Sequence, residues 1–264
     1  MRRFLRDWRK ILTIGKTLRA VALAALAGPA AAAGPGVICV EAITGADYAL
    51  PTTRYPHGAL GDDEEWGALV VGVALKMPCR AGASNYQATL PEELVFEDVS
   101  PRLWDMTGDG KPEVVVVESH ADKGARLAVW GIGETGLERL AATEFIGTRN
   151  RWLAPVGAAD LDGDGAVELA FVDRPHLARV LRVFRWVDGQ LVEIASLSGV
   201  TNHRFGASVI EGGLRDCDGG PELVVADADW RRLVGVRLVE GVLDTRDLGG
   251  IAGPESFEAA RACR

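Results

Sequence analysis

Histidine is scarce in this chain of 264 residues: there are four, at His57, His120, His176 and His203. No serine stands in a G-x-S-x-G turn and none of the four cysteines forms a C-x-x-C pair. Nucleophilic catalysis, zinc binding and dithiol redox chemistry are therefore left without a motif. Acids are so numerous that no two can be singled out as an acid/base pair. Basic residues are in deficit, 29 Lys and Arg against 37 Asp and Glu, which speaks against a nucleic-acid partner. No apolar run approaches the ~20 residues needed to cross a bilayer. Beyond the N-terminal segment only Glu255 to Ala262 has helical composition, so the body of the chain reads as all-β.

What is present at the N-terminus reads as a secretory signal peptide over residues 1–33. Arg2, Arg3, Arg6, Arg9, Lys10, Lys16 and Arg19 precede the apolar run Val21 to Leu26, and an A-x-A site lies at Ala31 to Ala33. Arg2-Arg3-Phe4-Leu5 resembles a twin-arginine signal, but the hydrophobic region begins too far downstream, and ordinary export is expected. Cleavage would remove seven basic residues and one acid, leaving a net charge of about −14 on residues 34–264. All four cysteines, Cys39, Cys79, Cys217 and Cys263, lie in the exported part, which predicts two disulfides with three pairings open.

The most informative stretch is Asp160 to Glu168, DLDGDGAVE, running into the apolar strand Leu169 to Val172. Asp160, Asp162, Asp164, Ala166 and Glu168 are candidate metal-ligand positions. Alternating carboxylates on a tight turn can converge on one point, and Gly165 permits the positive φ the turn needs. Oxygen ligands alone favour a hard cation, with calcium the first candidate. The pattern recurs about 55 residues apart on either side, a repeat interval rather than an irregular domain. DMTGDGKPE offers Asp105, Thr107, Asp109, Lys111 and Glu113, and the shorter DCDGGPE offers Asp216, Asp218 and Glu222. An EF-hand is excluded because strand-like Val, Leu, Ala and Phe runs, not amphipathic helices, follow each loop.

These loops, each followed by a short strand, resemble the FG-GAP (VCBS-type) repeat of integrin α-subunit propellers and secreted bacterial proteins. The resemblance covers roughly residues 53–250 and implies a β-propeller with calcium held in loops between blade strands. Thr107 replaces an aspartate, Glu113 and Glu168 stand where aspartate is more usual, and the last loop is two residues short. Four units are expected, over about 37–94, 95–147, 148–199 and 200–250, with a tail at 251–264; a small propeller of about four blades follows, or five if residues 37–94 hold more than one. Second and third strands are placed at Ala125 to Trp130, Ala141 to Ile146, Val180 to Trp186, Val192 to Leu197, Leu233 to Leu238 and Val242 to Leu248. In such a ring the first and last units are neighbours, so Cys39 or Cys79 could reach Cys217 or Cys263.

A second feature recurs ahead of the innermost strands. Arg54 with His57, Arg149 with Arg151, and Asn202 with His203 and Arg204 occupy equivalent places in three units and would converge on one mouth of a channel. They either bind an anionic ligand or glycan there or pair with neighbouring carboxylates and stitch the units together. Asp173-Arg174-Pro175-His176 follows a strand and could form a loop site, but a surface turn is the plainer reading. Trp130, Trp152, Trp186 and Trp230 read as packing between blades. The expected protein is an exported, calcium-stabilised binding module. Its rivals are a periplasmic hydrolase or lyase on the same scaffold and a purely structural envelope protein.

Overall fold

A computed structural model describes residues 39–76, 83–217 and 219–264. The expected signal peptide at residues 1–33, Cys79 and Asp218 lie outside them. The described chain is all-β apart from one C-terminal helix, α1 (Pro254–Arg261).

Three antiparallel sheets follow in chain order. The first holds eight strands: β1 (Val40–Thr52), β2 (Glu65–Leu75), β3 (Asn85–Thr89), β4 (Leu94–Phe96), β5 (Arg102–Trp104), β6 (Glu113–His120), β7 (Gly124–Ile132) and β8 (Leu137–Ala142). The second is a four-stranded meander of β9 (Leu153–Ala159), β10 (Glu168–Asp173), β11 (Val180–Val187) and β12 (Gln190–Ser198). The third has β13 (Val200–Thr201), β14 (Gly213–Cys217), β15 (Gly220–Asp227), β16 (Arg232–Val239) and β17 (Val242–Gly250). The expected first and second units are thus joined into one sheet, because short β4 pairs with β2 at Trp66 and Phe96 and with β6 over three residues. The outer strand expected at Ala141 to Ile146 is found earlier, at β8; Thr143 and Ile146 still bond backwards to Leu127 and Ala125.

The unbroken apolar runs after the acidic loops are explained by burial on both faces. Val115 and Val117 of β6 join Leu169 and Phe171 of β10 in one core, while Val114 and Val116 face Leu69 and Val71 of β2 in another. Ala170 and Val172 then meet Leu223 and Val225 of β15. A strand between two others loses the usual apolar/polar alternation. The series ends on the far face of β15, where Val224 and Ala226 are covered by Phe257 and Ala260 of α1. The sheet of the first unit does not take part in that cluster; the first and last units meet through loops instead, where Gly206 N–H donates to Ala59 O (2.9 Å).

Cys217 is bonded to Cys263, with Cα atoms 6.0 Å apart, tying the tail after α1 to β14. This corrects the expected bridge between first and last units. Cys39 is also disulfide-bonded, to a partner outside the described residues.

Candidate functional site

Each inner strand has two functional ends. At the start of β9 lies the Arg149 to Trp152 segment, at its finish the acidic loop from Asp160, and seven extended residues separate them by roughly 20 Å.

At the first end, a cavity of about 320 Å³ opens between loops of the first, third and fourth units. Its wall includes His57, Asn150, Arg151, Trp152, His176 and Phe205, with Arg174 and Leu177 at the side and no carboxylate in the lining. His57 bonds through Nδ1 to Glu97, which is fully buried and also accepts from the Ser119 hydroxyl. Trp152 is fixed by its indole N–H, which donates to Glu97 O (2.7 Å). Nε2 of His203 donates to the Ala207 carbonyl (2.7 Å), so neutral His203 presents Nδ1 as an acceptor. That nitrogen takes the proton of His176 Nε2 at 2.9 Å, which leaves His176 Nδ1 with a bare lone pair. Burial, then the neighbouring His203, His57 and Arg179, push His176 down to about 4; burial lowers His203 as well. Both rings are neutral at pH 7.

Two arginines, Arg151 and Arg174, bring fixed positive charge to the cavity. Arg151 donates to the Asn150 carbonyl (2.9 Å), and Arg174 is held by buried Asp173. Asn150 at φ 55° and Arg174 at φ 45° both sit in the left-handed region, a strained conformation for residues with side chains. The Asn150 side-chain oxygen is buried without a hydrogen-bond partner. Phe205 stands 61 % exposed at the rim, edge-on to His57 and His176.

Of the residues expected at this mouth, the structure brings together His57, Arg151 and His203. Arg54 turns to the Leu94 and Pro91 carbonyls, and Arg149 reaches Ala121 O and lies over the Tyr55 ring. Arg204 stacks on Trp230 at 4.0 Å, and buried Asn202 donates to the Ala154 and Pro155 carbonyls. None of Arg54, Arg149, Arg151 or Arg204 forms an ion pair among the described residues, whereas His57 of the same set pairs with Glu97 of the second unit. His176, expected on a surface turn, belongs to the cavity. Its sequence signals are the rarity of histidine and its place in a loop directly after a strand.

At the other end, the loops at 105–113 and 160–168 share one hydrogen-bond scheme. Asp105 accepts from Gly108 and Gly110, and Asp160 from Gly163 and Gly165. Lys111 N–H donates to Asp109 and Ala166 N–H to Asp164, while Glu113 accepts from Met106 and Glu168 from Leu161 (2.8 Å each). Asp160, Asp162 and Glu168 place one oxygen each within 4.8 Å of one another, the kind of oxygen set a calcium ion takes. Asp164 stands outside that group. In the fourth unit, Asp216 lies on β14 and Glu222 is occupied by Arg215 and Arg246.

Comparison with known proteins adds three findings. Residues 105–171 match the family model of an FG-GAP-like repeat. Among solved structures, the crystal structure of the exotype rhamnogalacturonan lyase YesX is similar, at 17 % identity and TM-score 0.43. The match covers 81 % of this chain and 49 % of the lyase, so the chain spans about half that protein's length. No curated protein sequence matches.

Proposed function

We propose that this chain, which carries an FG-GAP-like repeat at residues 105–171, is an exported four-bladed propeller that binds a carboxylated saccharide in the His57/Arg151 cavity. The observation that carries the reading is the pairing, in one cavity with no carboxylate in its lining, of Arg151 with Asn150 Oδ1, which among the described residues have no acidic partner and no hydrogen-bond donor respectively. A guanidinium takes a carboxylate; Asn150 Oδ1 and His176 Nδ1 are acceptors for hydroxyl groups; Trp152 and Phe205 offer faces to a sugar ring. An acidic protein repels anions at long range, so the local arginines supply specificity at contact.

Export is supported by the disulfides, which persist in oxidising compartments. No helix among the described residues is long and apolar enough to cross a membrane. Calcium belongs to this reading as a structural ion at 105–113, held by Asp105, Asp109 and Glu113 with Thr107 and Lys111 contributing oxygens, none of which faces an arginine partner among the described residues. Burial raises the Glu113 carboxyl, with Asp109 and Asp105 adding to the effect, which is the repulsion a bound cation relieves.

Titration of an acidic oligosaccharide and its neutral counterpart by calorimetry tests the cavity. Arg151→Ala is expected to weaken binding of the acidic ligand at least tenfold, about 1.4 kcal/mol, while moving the melting temperature by less than about 2 °C. Equal affinity for acidic and neutral saccharides, or an unaffected variant, would refute it. A lyase or hydrolase reading is favoured by one observation: His57 is oriented by a buried carboxylate, as catalytic imidazoles are. Chain cleavage by wild type and none by His57→Gln would select it.

A further inference from the structure

We infer that Arg185 takes the place of the cation in the loop at 160–168, so that two of the three acidic loops are closed by guanidinium groups and only the one at 105–113 is left for a metal. The second half of that statement rests on the calcium reading above.

Within the loops themselves the backbone scheme is shared, since the same aspartate caps the same glycine amides and the same glutamate closes the turn, and the side chains differ chiefly in Thr107 standing where the other loop has Asp162. A second difference lies across the sheet. Glu168 pairs with Arg185 in the β10/β11 ladder. Continuing the β6/β7 register by one residue from the Val114/Trp130 pair puts Gly131 opposite Glu113. A Cβ placed on Gly131 would lie 3.7 Å from Glu113 Cγ, so this is the station from which a side chain would reach the loop.

From that station Arg185 spends every nitrogen on the loop. Nε lies 2.6 Å from Glu168 Oε1, Nη2 2.6 Å from Asp162 Oδ2, and Nη1 2.8 Å from Asp164 Oδ2. A calcium ion in this turn would need Asp162 and Glu168, two of the three carboxylates of the close oxygen group, and Arg185 holds both. The planar fork is bonded on each side and only 23 % exposed, an arrangement a lysine point charge would not reproduce. It also explains why Asp164 stands apart from the close oxygen group: it has turned to Nη1.

The fourth unit repeats the device. Continuing the β15/β16 register from Leu223/Val236 places Arg237 opposite Glu222, with Nε 3.4 Å from Oε1, and Arg215 and Arg246 take the remaining positions on that carboxylate. An arginine thus stands at this station in the third and fourth units and a glycine in the second.

Calcium uptake by the chelator-stripped protein, titrated with calcium chloride, decides the matter. Wild type is expected to take one ion, Asp109→Ala to take none, and Arg185→Gln to take one more than wild type and to acquire a melting temperature that falls on chelation. An ion retained by Asp109→Ala and lost on adding Asp164→Ala would show that the metal displaces Arg185, and would overturn the inference. That arm keeps Arg185 intact, so it decides even if Arg185→Gln does not fold. If wild type takes no ion and Arg185→Gln takes one, the inference stands and the calcium reading of 105–113 falls. If neither takes an ion, arginine is not what keeps the metal out.

Discussion

Glu222→Ala is expected to destabilise the protein by about 3–5 kcal/mol, the usual cost of removing one member of a buried ion cluster. Glu222 is fully buried on β15, yet three arginines converge on it. Arg215 from β14 donates through Nε (2.6 Å) and spends another nitrogen on Ala260 O of α1; Arg246 comes from β17 and Arg237 from β16. One carboxylate therefore ties three strands and the C-terminal helix together. Truncating it leaves Arg215, only 7 % exposed, without an anion beside two like charges. Burial opposes ionisation of Glu222, but hydrogen bonds from Arg246 and Arg215 outweigh it and hold the carboxyl below its ordinary value of 4.5. A depressed native value means that the contribution is present above pH 4.5 and is lost as pH falls through the native value. Urea denaturation at pH 7 measures the loss, and Arg246→Ala, half-exposed, should cost no more than about 1 kcal/mol. A Glu222→Ala protein within 1 kcal/mol of wild type would show that the cluster contributes nothing net.

Much of this was legible in the sequence because it is local. Asp160 to Glu168 announces its turn by carboxylates and a glycine within nine residues, and both loops fold as that spacing requires. Glu255 to Ala262 is the one stretch of helical composition and becomes α1, one residue earlier. The unread part depends on what lies across a ladder or between sheets. Arg185 is 17 residues from Glu168, and only the β10/β11 register brings it to the loop. The Val187-Asp188-Gly189-Gln190 turn, recognised as a turn, fixes only the β11/β12 pairing, whereas the β10/β11 register is set by the longer connection at residues 174–179, which carries no two-residue turn signal. His176 was hidden for another reason: its partner His203 is in a different unit, and nothing near it in the chain foretells burial. The fusion of the first two units depends on β4, three residues too short for any periodicity to reveal.

The cavity and the arginine-closed loops share one physical logic. A chain rich in acid places nearly every buried carboxylate under an arginine: Asp98 under Arg102, Glu118 under Arg126 and Arg139, Asp173 under Arg174 and Arg182. Against that background, Arg151 with only a carbonyl to hold is conspicuous, and so is Glu113 with no arginine at its station. Each marks a place where the chain leaves a charge to be met from outside.

Two buried acids have no arginine among the described residues: Glu97 is met by His57 and Ser119, and the other carries the second large effect. Glu65, at the start of β2, is 2 % exposed. Burial, followed by the charges of Glu97, Asp62 and Asp98, pushes its carboxyl up to about 10. It is therefore protonated in the native protein at pH 7, whereas in the unfolded chain it ionises near the ordinary 4.5. A raised native value on an acid means that unfolding releases a proton between those limits, so stability falls as pH rises through that window, by about 1.4 kcal/mol per pH unit. At pH 7 the accumulated penalty is on the order of 3 kcal/mol. Glu65→Gln keeps the shape of the protonated acid and does not titrate, so it removes the penalty while leaving the neighbouring Glu97 in place to hold His57. The variant is expected to be more stable than wild type at pH 7, with the gap widening by about 1.4 kcal/mol per unit from pH 5 to 8. Denaturation midpoints of both proteins across that range measure it. A gap that does not change with pH would mean that Glu65 is ionised in the folded protein and that another group neutralises it.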